Sequence, residues 1–232
     1  MLVNEVINQL SEGPNDPHIF KAIFLAGGPG SGKGFVVKNL MGADSTGLRI
    51  VNSDDVYEKL ASIAKPEPLD LKNPEVVASP QGQEAREKAK RLTKARQGNY
   101  LDGRLGLIID GTAKDVEKTK RQKDELEALG YDTMMVFVNT NMNVAQERNK
   151  QRDRQLPDEM VIKMWHSVQD NLMKFQQLFG NENFYLVDNS GGLEDPSRKE
   201  NFEAVEKAIR RFISSPPRKP QAKSWLADQR PQ

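Results

Sequence analysis

The chain has 232 residues, 37% of them hydrophobic and 29% charged, which suits one ordinary domain with a sizeable core and excludes broad disorder. A net charge of +1 argues against wholesale coating of nucleic acid, and the absence of cysteine excludes disulfides, thiolate zinc sites and thiol catalysis. No signal peptide is evident and no apolar run approaches the ~20 residues of a membrane span, so we expect a soluble protein of the reducing cytoplasm.

The most informative motif follows the first predicted strand. Residues 20–26 (FKAIFLA) predict a short buried strand, and residues 35–41 (FVVKNLM) predict a helix. Between them the sequence GGPGSGKG fits the pattern G-x-x-x-x-G-K. In such a loop the backbone N–H groups and the helix N-terminus attract phosphate, and Lys33 can reach the β- and γ-phosphates. The expected ligand is a polyphosphate, bound by Gly28, Gly30, Ser31, Gly32, Lys33, Gly34 and Phe35.

Two carboxylates follow the second predicted strand, residues 48–52. A helix is predicted over about 54–63, with Ser53 or Asp54 as its N-cap. We expect this strand beside the first one, so that its end lies in the crevice where open α/β sheets bind ligands. Asp54 is the candidate general base for a substrate hydroxyl and Asp55 the candidate Mg²⁺ ligand, although the two roles could be exchanged. Helix capping alone is the structural alternative.

Residues 64–100 are interpreted as a helical insertion on the substrate side. Four prolines break its first part into an irregular excursion, and a charged helix is predicted over 83–97. Basic residues outnumber acidic ones in that helix, so it could attract a phosphorylated substrate or a nucleic-acid end. A solvated charged face is the alternative.

The third predicted strand, residues 105–110, is apolar up to Asp110, as buried parallel strands are. The segment IIDGT has the form of a Walker-B-like strand end, where Asp110 would orient Mg²⁺ or the substrate; an Asp-Gly pair is also a common turn. Strands alternate with helices along the whole chain, which predicts a parallel sheet covered on both faces. The remaining elements are helices at 115–129, 143–152, 157–179 and 201–213 and strands at 133–138 and 184–188.

Three arginines surround the end of the helix predicted at 143–152. Arg148 and Arg152 are four residues apart and share a helix face, and Arg154 lies in the stretch before Pro157. Planar guanidinium groups suit the charge of a phosphoryl group in transfer, so this segment could close over ATP as a lid. A solvated basic helix end is the alternative.

The domain is expected to span residues 1–213, with an N-terminal extension at 1–19. Four prolines after Ser214 predict an extended tail over 214–232, within which Trp225 and Leu226 could dock.

Four motifs together carry a family resemblance: GGPGSGKG, NSDD and IIDGT after three successive strands, and R-x₃-R-x-R before a proline. Across residues 20–190 they resemble the zeta-toxin-like and polynucleotide-kinase-like branch of P-loop kinases. The resemblance implies an α/β P-loop NTPase fold of the kinase type, with three layers and about five parallel strands. It also implies ATP- and Mg²⁺-dependent transfer of the γ-phosphoryl group to a hydroxyl. Lys33 would bind ATP, Asp54 would deprotonate the acceptor, and Arg148, Arg152 and Arg154 would stabilise the transferring group.

One position departs from this branch, because Gly34 and Phe35 stand where a Ser or Thr hydroxyl usually binds Mg²⁺. Adenylate and UMP/CMP kinases have a similar loop, but Thr follows the glycine there. The metal would then rely on Asp54, Asp55 or Asp110, water and the phosphates. Three readings remain open: a kinase acting on a small molecule, a sugar nucleotide or a nucleic-acid 5′ end; a nucleoside or nucleotide kinase; and a catalytically degenerate nucleotide-binding protein with an interaction or structural role.

Overall fold

The structure is a computed structural model, and it describes residue 16 and residues 18–39, 47–152, 155–191 and 195–229. Its centre is a sheet of five parallel strands in the order β2-β3-β1-β4-β5. The central strand is buried along its whole length, which explains its apolar sequence. The strands are β1 Lys21–Ala26, β2 Arg49–Val51, β3 Leu107–Asp110, β4 Asp132–Asn139 and β5 Phe184–Asp188.

Helices cover both faces of the sheet, so the predicted α/β architecture with a parallel five-stranded sheet is confirmed. Alternate residues of β1 point to opposite cores, with Phe24 on the side of α5 and α7 and Ile23 on the side of α1 and α8. No helix in the described ranges is both long and apolar enough to cross a membrane. The helices are α1 Lys33–Asn39, α2 Ser53–Ser62, α3 Pro74–Ala78, α4 Pro80–Asp102, α5 Val116–Ala128, α6 Met142–Lys150, α7 Asp158–Phe179, α8 Pro196–Ser214 and α9 Pro220–Asp228.

The strand order corrects one expectation. β2 does not pair with β1, because β3 lies between them: Leu25 of β1 is in register with Asp110 of β3, and Ile109 of β3 with Val51 of β2. The chain reaches β3 only after α2 and α4, which pack on each other beside the sheet. Asp110 therefore ends the strand nearest to the phosphate-binding loop, and the carboxylates after β2 lie one strand further out.

Several prolines of this protein begin helices instead of interrupting regular structure. Pro74 and Pro80, expected in an irregular excursion, start α3 and α4, and Pro196 starts α8 ahead of its predicted beginning. The first turn of a helix needs no backbone N–H from its proline, and the fixed φ of proline suits that position. In α4 the cap is completed by Ser79, whose hydroxyl accepts a hydrogen bond from the N–H of Gly82 at 3.1 Å.

The prediction of an extended C-terminal tail is wrong for α9. Pro220 begins this helix, and its residue Ala222 is fully buried where the backbone of Gly130 comes close. The ring of Trp225 meets the buried ring of Phe20 edge-on, with centroids 5.4 Å apart. Tertiary packing thus stabilises a helix that is too short to persist alone.

Residues 215–228, which we call the C-terminal strap, also bind the amino ends of β1 and β4. A buried ion pair joins Lys21 Nζ to Asp132 Oδ2 at 2.8 Å. The same Nζ donates to Ser215 Oγ at 3.0 Å, and Arg218 Nε donates to Asp132 Oδ1 at 3.3 Å. Burial lowers the pKa of Lys21, and its bond to Asp132 opposes that shift. The strap therefore covers and completes a charged pair at the edge of the sheet opposite the strand carboxyl ends.

We expect Trp225→Ala to lower the free energy of unfolding by about 1–3 kcal/mol, somewhat less than for a fully buried tryptophan, because its ring is half-buried. Urea unfolding of the variant and the parent measures the difference. Lys223→Ala, on the exposed side of the same helix, is the matched control and should change stability by less than about 0.5 kcal/mol. Equal effects of the two substitutions would show that α9 does not contribute to the stability of the domain.

Candidate active site

The GGPGSGKG segment forms a loop between β1 and α1, as the motif predicts. Gly30 and Gly32 have positive φ angles of 71° and 88°, a conformation that glycine adopts without strain. A Cβ atom on Gly30 would also lie 2.3 Å from the carbonyl oxygen of Ala145, so α6 approaches the loop too closely for a side chain. The loop residues Gly28, Gly30, Ser31, Gly32 and Lys33 are therefore gathered where the motif expects them, at the carboxyl end of β1.

Lys33 is the first residue of α1, and its amine folds back on the loop. Its Nζ donates a hydrogen bond to the carbonyl oxygen of Gly27 at 2.9 Å. Burial lowers the pKa of Lys33, and the carboxylate of Asp110 opposes that shift. The amine is held at the loop by a contact with a neutral carbonyl, which phosphate oxygens can replace with a stronger contact in which both partners are charged.

Asn52 brings the two predicted metal-binding carboxylates together. Its Nδ2 donates to Asp55 Oδ1 at 2.9 Å and to Asp110 Oδ2 at 3.0 Å. Its Oδ1 accepts from the N–H of Asp54 at 2.8 Å, so Asn52 is the N-cap of α2 and the expectation of Ser53 or Asp54 is wrong. One side chain thus starts the helix and links the ends of β2 and β3.

The electrostatics of these carboxylates favour a bound cation. Asp110 Oδ1 is buried without a hydrogen-bond partner, and burial raises the pKa of Asp110 to about 6 even though Lys33 opposes the shift. Burial, with the charge of Asp54, also raises the pKa of Asp55. A cation placed between them would favour their ionised forms. Within the described residues no three His, Cys, Asp or Glu side chains form a metal cage. Two carboxylates with phosphate oxygens and water do fit Mg²⁺, which rarely uses an all-protein cage.

Asp54 lies at the edge of this group and is more accessible. Its side chain is 54% exposed, and its Oδ1 is 3.8 Å from Arg86 Nη2 of α4. The guanidinium of Arg86 in turn lies over the ring of Tyr57, 5.4 Å from its centroid. Asp54 is within electrostatic range of both Lys33 and Asp110, so it lies near the same edge of the sheet, with its side chain accessible to solvent.

The departure at Gly34 and Phe35 leaves open space at the beginning of α1. A Cβ atom on Gly34 would have no neighbour within 4 Å. The ring of Phe35 packs on α8, with centroids 5.8 Å from Phe202 and with the guanidinium of Arg198 5.2 Å away. The side chain of Phe35 therefore joins two helices, and the hydroxyl that the motif lacks is replaced by empty volume.

The predicted arginines separate into two places. Arg148 Nη1 makes a long contact of 3.5 Å with the carbonyl oxygen of Gly30. Burial and the neighbouring Arg198 lower the pKa of Arg148. Arg152 is exposed just beyond α6 and within electrostatic range of Lys33, while Arg154 lies outside the described residues. The structure therefore places Arg148 at the loop, where its Nη1 is also 3.6 Å from the position of a Cβ atom on Gly32, and Arg152 within electrostatic range of Lys33.

Two further residues at the loop were not predicted from the sequence. Asn189, directly after β5 and 2% exposed, donates from Nδ2 to the carbonyl oxygen of Ser31 at 2.7 Å. Arg198, 7% exposed, lies between the rings of Phe35 and Phe202. The rule that ligands bind beyond strand carboxyl ends could have found Asn189, whereas Arg198 has no local sequence signal.

Four buried polar atoms around the loop and α1 lack a hydrogen-bond partner. Buried polar groups normally have one, so such a cluster indicates where a ligand or ordered water supplies it. Three of these atoms can accept a hydrogen bond and one can only donate. They are Ser31 Oγ, Asp110 Oδ1, Asn189 Oδ1 and Arg198 Nε.

Solved structures share this fold at low sequence identity. A protein of the PezAT toxin–antitoxin system of Streptococcus pneumoniae superposes with a TM-score of 0.58 and 16% identity, over 91% of this chain and 94% of that one. A chain of the AvrRxo1-ORF1:-ORF2 complex with ATP gives 0.55 and 12%, over 97% and 87%. A chain of the Pnkp1/Rnl/Hen1 RNA repair complex gives 0.50 and 20%, over 69% and 48%. At these identities the matches establish the fold alone.

Sequence comparison gives the family. No curated protein matches the sequence. The family model described as "Zeta toxin" matches residues 8–191, which include the phosphate-binding loop, both groups of carboxylates and all three predicted arginines. The resemblance inferred from the four motifs is therefore confirmed, and the protein belongs to the zeta toxin family with a P-loop kinase-type α/β fold.

Proposed function

We propose that the protein is an ATP-dependent phosphotransferase that moves the γ-phosphoryl group of MgATP to a hydroxyl of an acceptor. The observation that carries this proposal is the link through Asn52, which holds Asp55 beside Asp110 at the strand ends, where the carboxylate of Asp110 is within electrostatic range of Lys33. Phosphoryl transfer needs positioned reactants and neutralised charge more than covalent help from the protein. These requirements are met by Lys33, by the adjacent carboxylates of Asp55 and Asp110, and by the nearby carboxylate of Asp54.

In the proposed reaction the loop N–H groups and Lys33 bind the β- and γ-phosphates. Asp55 and Asp110 would hold Mg²⁺, which supplies charge neutralisation between the phosphates when bound. Asp54 accepts the proton of the acceptor hydroxyl as its oxygen forms a bond to the γ-phosphorus. The bond from that phosphorus to the β–γ bridging oxygen breaks, and ADP leaves with the electron pair. Arg152, and Arg154 of the same lid segment, donate to the oxygens of the transferring group.

The two described arginines are expected to respond differently to substitution. Arg152→Ala should lower kcat about 10-fold or more with a small change in KM for ATP, because its contact strengthens in the transition state. Arg148→Ala should mainly raise KM for ATP, because this side chain contacts the backbone of the phosphate-binding loop at Gly30. Steady-state rates at varied ATP measure both, with Glu147→Gln on the exposed face of α6 as control. If Arg152→Ala changes only the affinity for ATP, Arg152 contacts ATP in the ground state and not specifically in the transition state. If neither kcat nor KM changes, Arg152 is a solvated residue at the end of the helix.

A second candidate function is nucleotide binding without turnover, and the missing hydroxyl at Gly34 favours it. Because a Cβ there meets nothing within 4 Å, Gly34→Thr should be accommodated. If the metal is held less directly in the parent, this variant should lower the Mg²⁺ concentration that half-saturates ATP binding by about 3–10-fold, the size of one added contact. Calorimetric titration of ATP at a series of Mg²⁺ concentrations measures it, with Gly34→Val as the isosteric control without a hydroxyl. Equal shifts for Thr and Val would contradict a metal contact.

Binding and turnover separate the candidate functions. Calorimetry with ATP and Mg²⁺ measures binding, and γ-labelled ATP offered with sugars, sugar nucleotides, nucleosides, nucleoside monophosphates and 5′-hydroxyl oligonucleotides measures transfer. Label on a nucleoside or its monophosphate would favour the alternative of a nucleoside or nucleotide kinase. Tight binding of ATP with no label on any acceptor would favour the degenerate nucleotide-binding protein.

A further inference from the structure

A cavity of about 570 Å³ opens beside the proposed reaction centre, between α4 and α5 and against the carboxyl ends of β1, β2 and β3. Asp110 and Ser53 line it, as does Ala26 at the end of β1. Asp110 is also the residue that Asn52 links to Asp55. A molecule in this cavity therefore lies against the proposed catalytic edge. The ligand inferred for this cavity is the acceptor of the proposed reaction, so the inference rests on the proposed function.

The two helical walls of the cavity carry cations and hydrogen-bonding groups. Lys90, Thr93, Lys94 and Gln97 line it from α4, and their spacing puts them on one face of that helix. Lys114 and Lys118 line it at the beginning of α5. Two basic side chains of α4, Lys90 and Lys94, therefore lie at the cavity, and both are solvent-exposed.

These lysines are not all neutralised by the lining carboxylates, which are Asp110, Asp115 and Glu125, or by Glu87, which lies outside the lining. Asp115 already caps α5 by accepting from the N–H of Lys118 at 2.9 Å, and Lys90 is paired with Glu87 at 2.6 Å. In the described part of the chain, Lys94 and Lys118 have no carboxylate within ion-pair distance. Two ammonium groups on facing walls are suited to one anionic group between them.

The inner lining is apolar. Ile109 and Met135 of the sheet are buried beneath the cavity, and Leu101, Leu126 and Leu129 line it from the helices. Apolar surface of this kind favours a ring or short aliphatic chain over a fully hydroxylated body, because burying unpaired hydroxyls is costly. The volume lies in the range of about 300–1,000 Å³ for sites that take one small molecule.

We infer that the acceptor is a small amphipathic anion. Its apolar ring or chain lies on the inner lining, its carboxylate or phosphate lies between Lys94 and Lys118, and its hydroxyl faces Asp110, which lies within electrostatic range of Asp54. A nucleic-acid end is the less suitable occupant, because α4 and α5 bound the cavity on two sides and its inner lining offers no continuous cationic track for a backbone.

A matched set of compounds tests this inference by binding alone. We would titrate 4-(hydroxymethyl)benzoate, 4-(hydroxymethyl)phenyl phosphate and the neutral 4-(hydroxymethyl)benzamide into the protein saturated with a non-hydrolysable ATP analogue and Mg²⁺. The two anions are expected to bind about 10-fold or more tightly than the amide, the effect of a charge-assisted contact. Lys94→Gln and Lys118→Gln should each remove most of that preference. Lys88→Gln, on the exposed surface of α4 outside the cavity, should keep it.

Three results would overturn the inference: equal binding of anions and amide, a preference that survives both lining substitutions, or tighter binding of a 5′-hydroxyl oligonucleotide than of either anion. Absence of binding by all three compounds would overturn it as well. Failure of the proposed function would give a different result. Anion-selective binding that depends on Lys94 and Lys118, without transfer of label to any acceptor, would contradict phosphoryl transfer. The same result would support the ligand class inferred for the cavity.

Discussion

Asp54→Asn is expected to slow phosphoryl transfer by roughly 10²–10⁴-fold, the usual range for a positioned acid–base group, while ATP binding stays nearly unchanged. The substitution keeps the shape of the side chain and removes its charge and its ability to accept a proton. Folding should tolerate it, because Asn52 rather than Asp54 caps α2 and the side chain of Asp54 is half-exposed. Initial transfer rates at saturating MgATP, together with calorimetry of ATP binding, measure the two effects separately.

Asp55→Asn is the matched control on the next residue. It should raise the Mg²⁺ concentration needed for ATP binding, because Asp55 shares the amide of Asn52 with Asp110 on the proposed metal side. Loss of transfer in Asp55→Asn with full transfer in Asp54→Asn would mean that the two roles are exchanged. Full transfer in both variants would leave these carboxylates with a structural role and favour nucleotide binding without turnover.

Lys33→Ala is expected to weaken ATP binding at least ~10-fold, since a charge-assisted hydrogen bond to phosphate contributes about 1.5–3 kcal/mol. The substitution should also weaken the binding of Mg²⁺. Lys33 opposes the upward shift in the pKa of Asp110, so its removal raises that pKa further and makes the ionised carboxylate less available to Mg²⁺ at neutral pH.

Calorimetry with and without Mg²⁺ tests both parts, and Lys38→Ala at the exposed end of α1 is the control of equal charge. Parent-like binding of MgATP by Lys33→Ala would mean that the loop does not hold the phosphates as its motif predicts. A loss confined to metal-free ATP would contradict the coupling between Lys33 and Asp110.

The local parts of this fold and site follow from the sequence, and the long-range parts do not. A glycine-rich loop between a buried strand and a helix is specified by about fifteen adjacent residues, so its position and the role proposed for Lys33 could be predicted. The convergence of Asp55 and Asp110 depends on β3 lying between β1 and β2. Strand order depends on contacts between elements that are far apart in the chain, and no local pattern encodes it.

Residues that act through packing were missed for the same reason. Asn189 and Arg198 contact the loop and α1 across more than 150 residues of chain. Pro220, interpreted as part of an extended tail, begins α9, and Trp225 of that helix packs on Phe20. In each case the deciding partner is distant in sequence, where propensity and periodicity carry no information.

The C-terminal strap is synthesised after the two strand ends that it covers, so its contacts form late when the chain folds during synthesis. Asp132 leaves the ribosome 86 residues ahead of Arg218, a delay of about 4–17 s at typical elongation rates of 5–20 residues per second. During that interval Lys21 and Asp132 can meet, but Ser215 and Arg218 have not yet arrived to cover them. A nascent chain can therefore build its central strands while their amino ends are still hydrated, which leaves a mispaired strand time to exchange before the edge closes. The strap closes that edge only after β5 and α8 have been made.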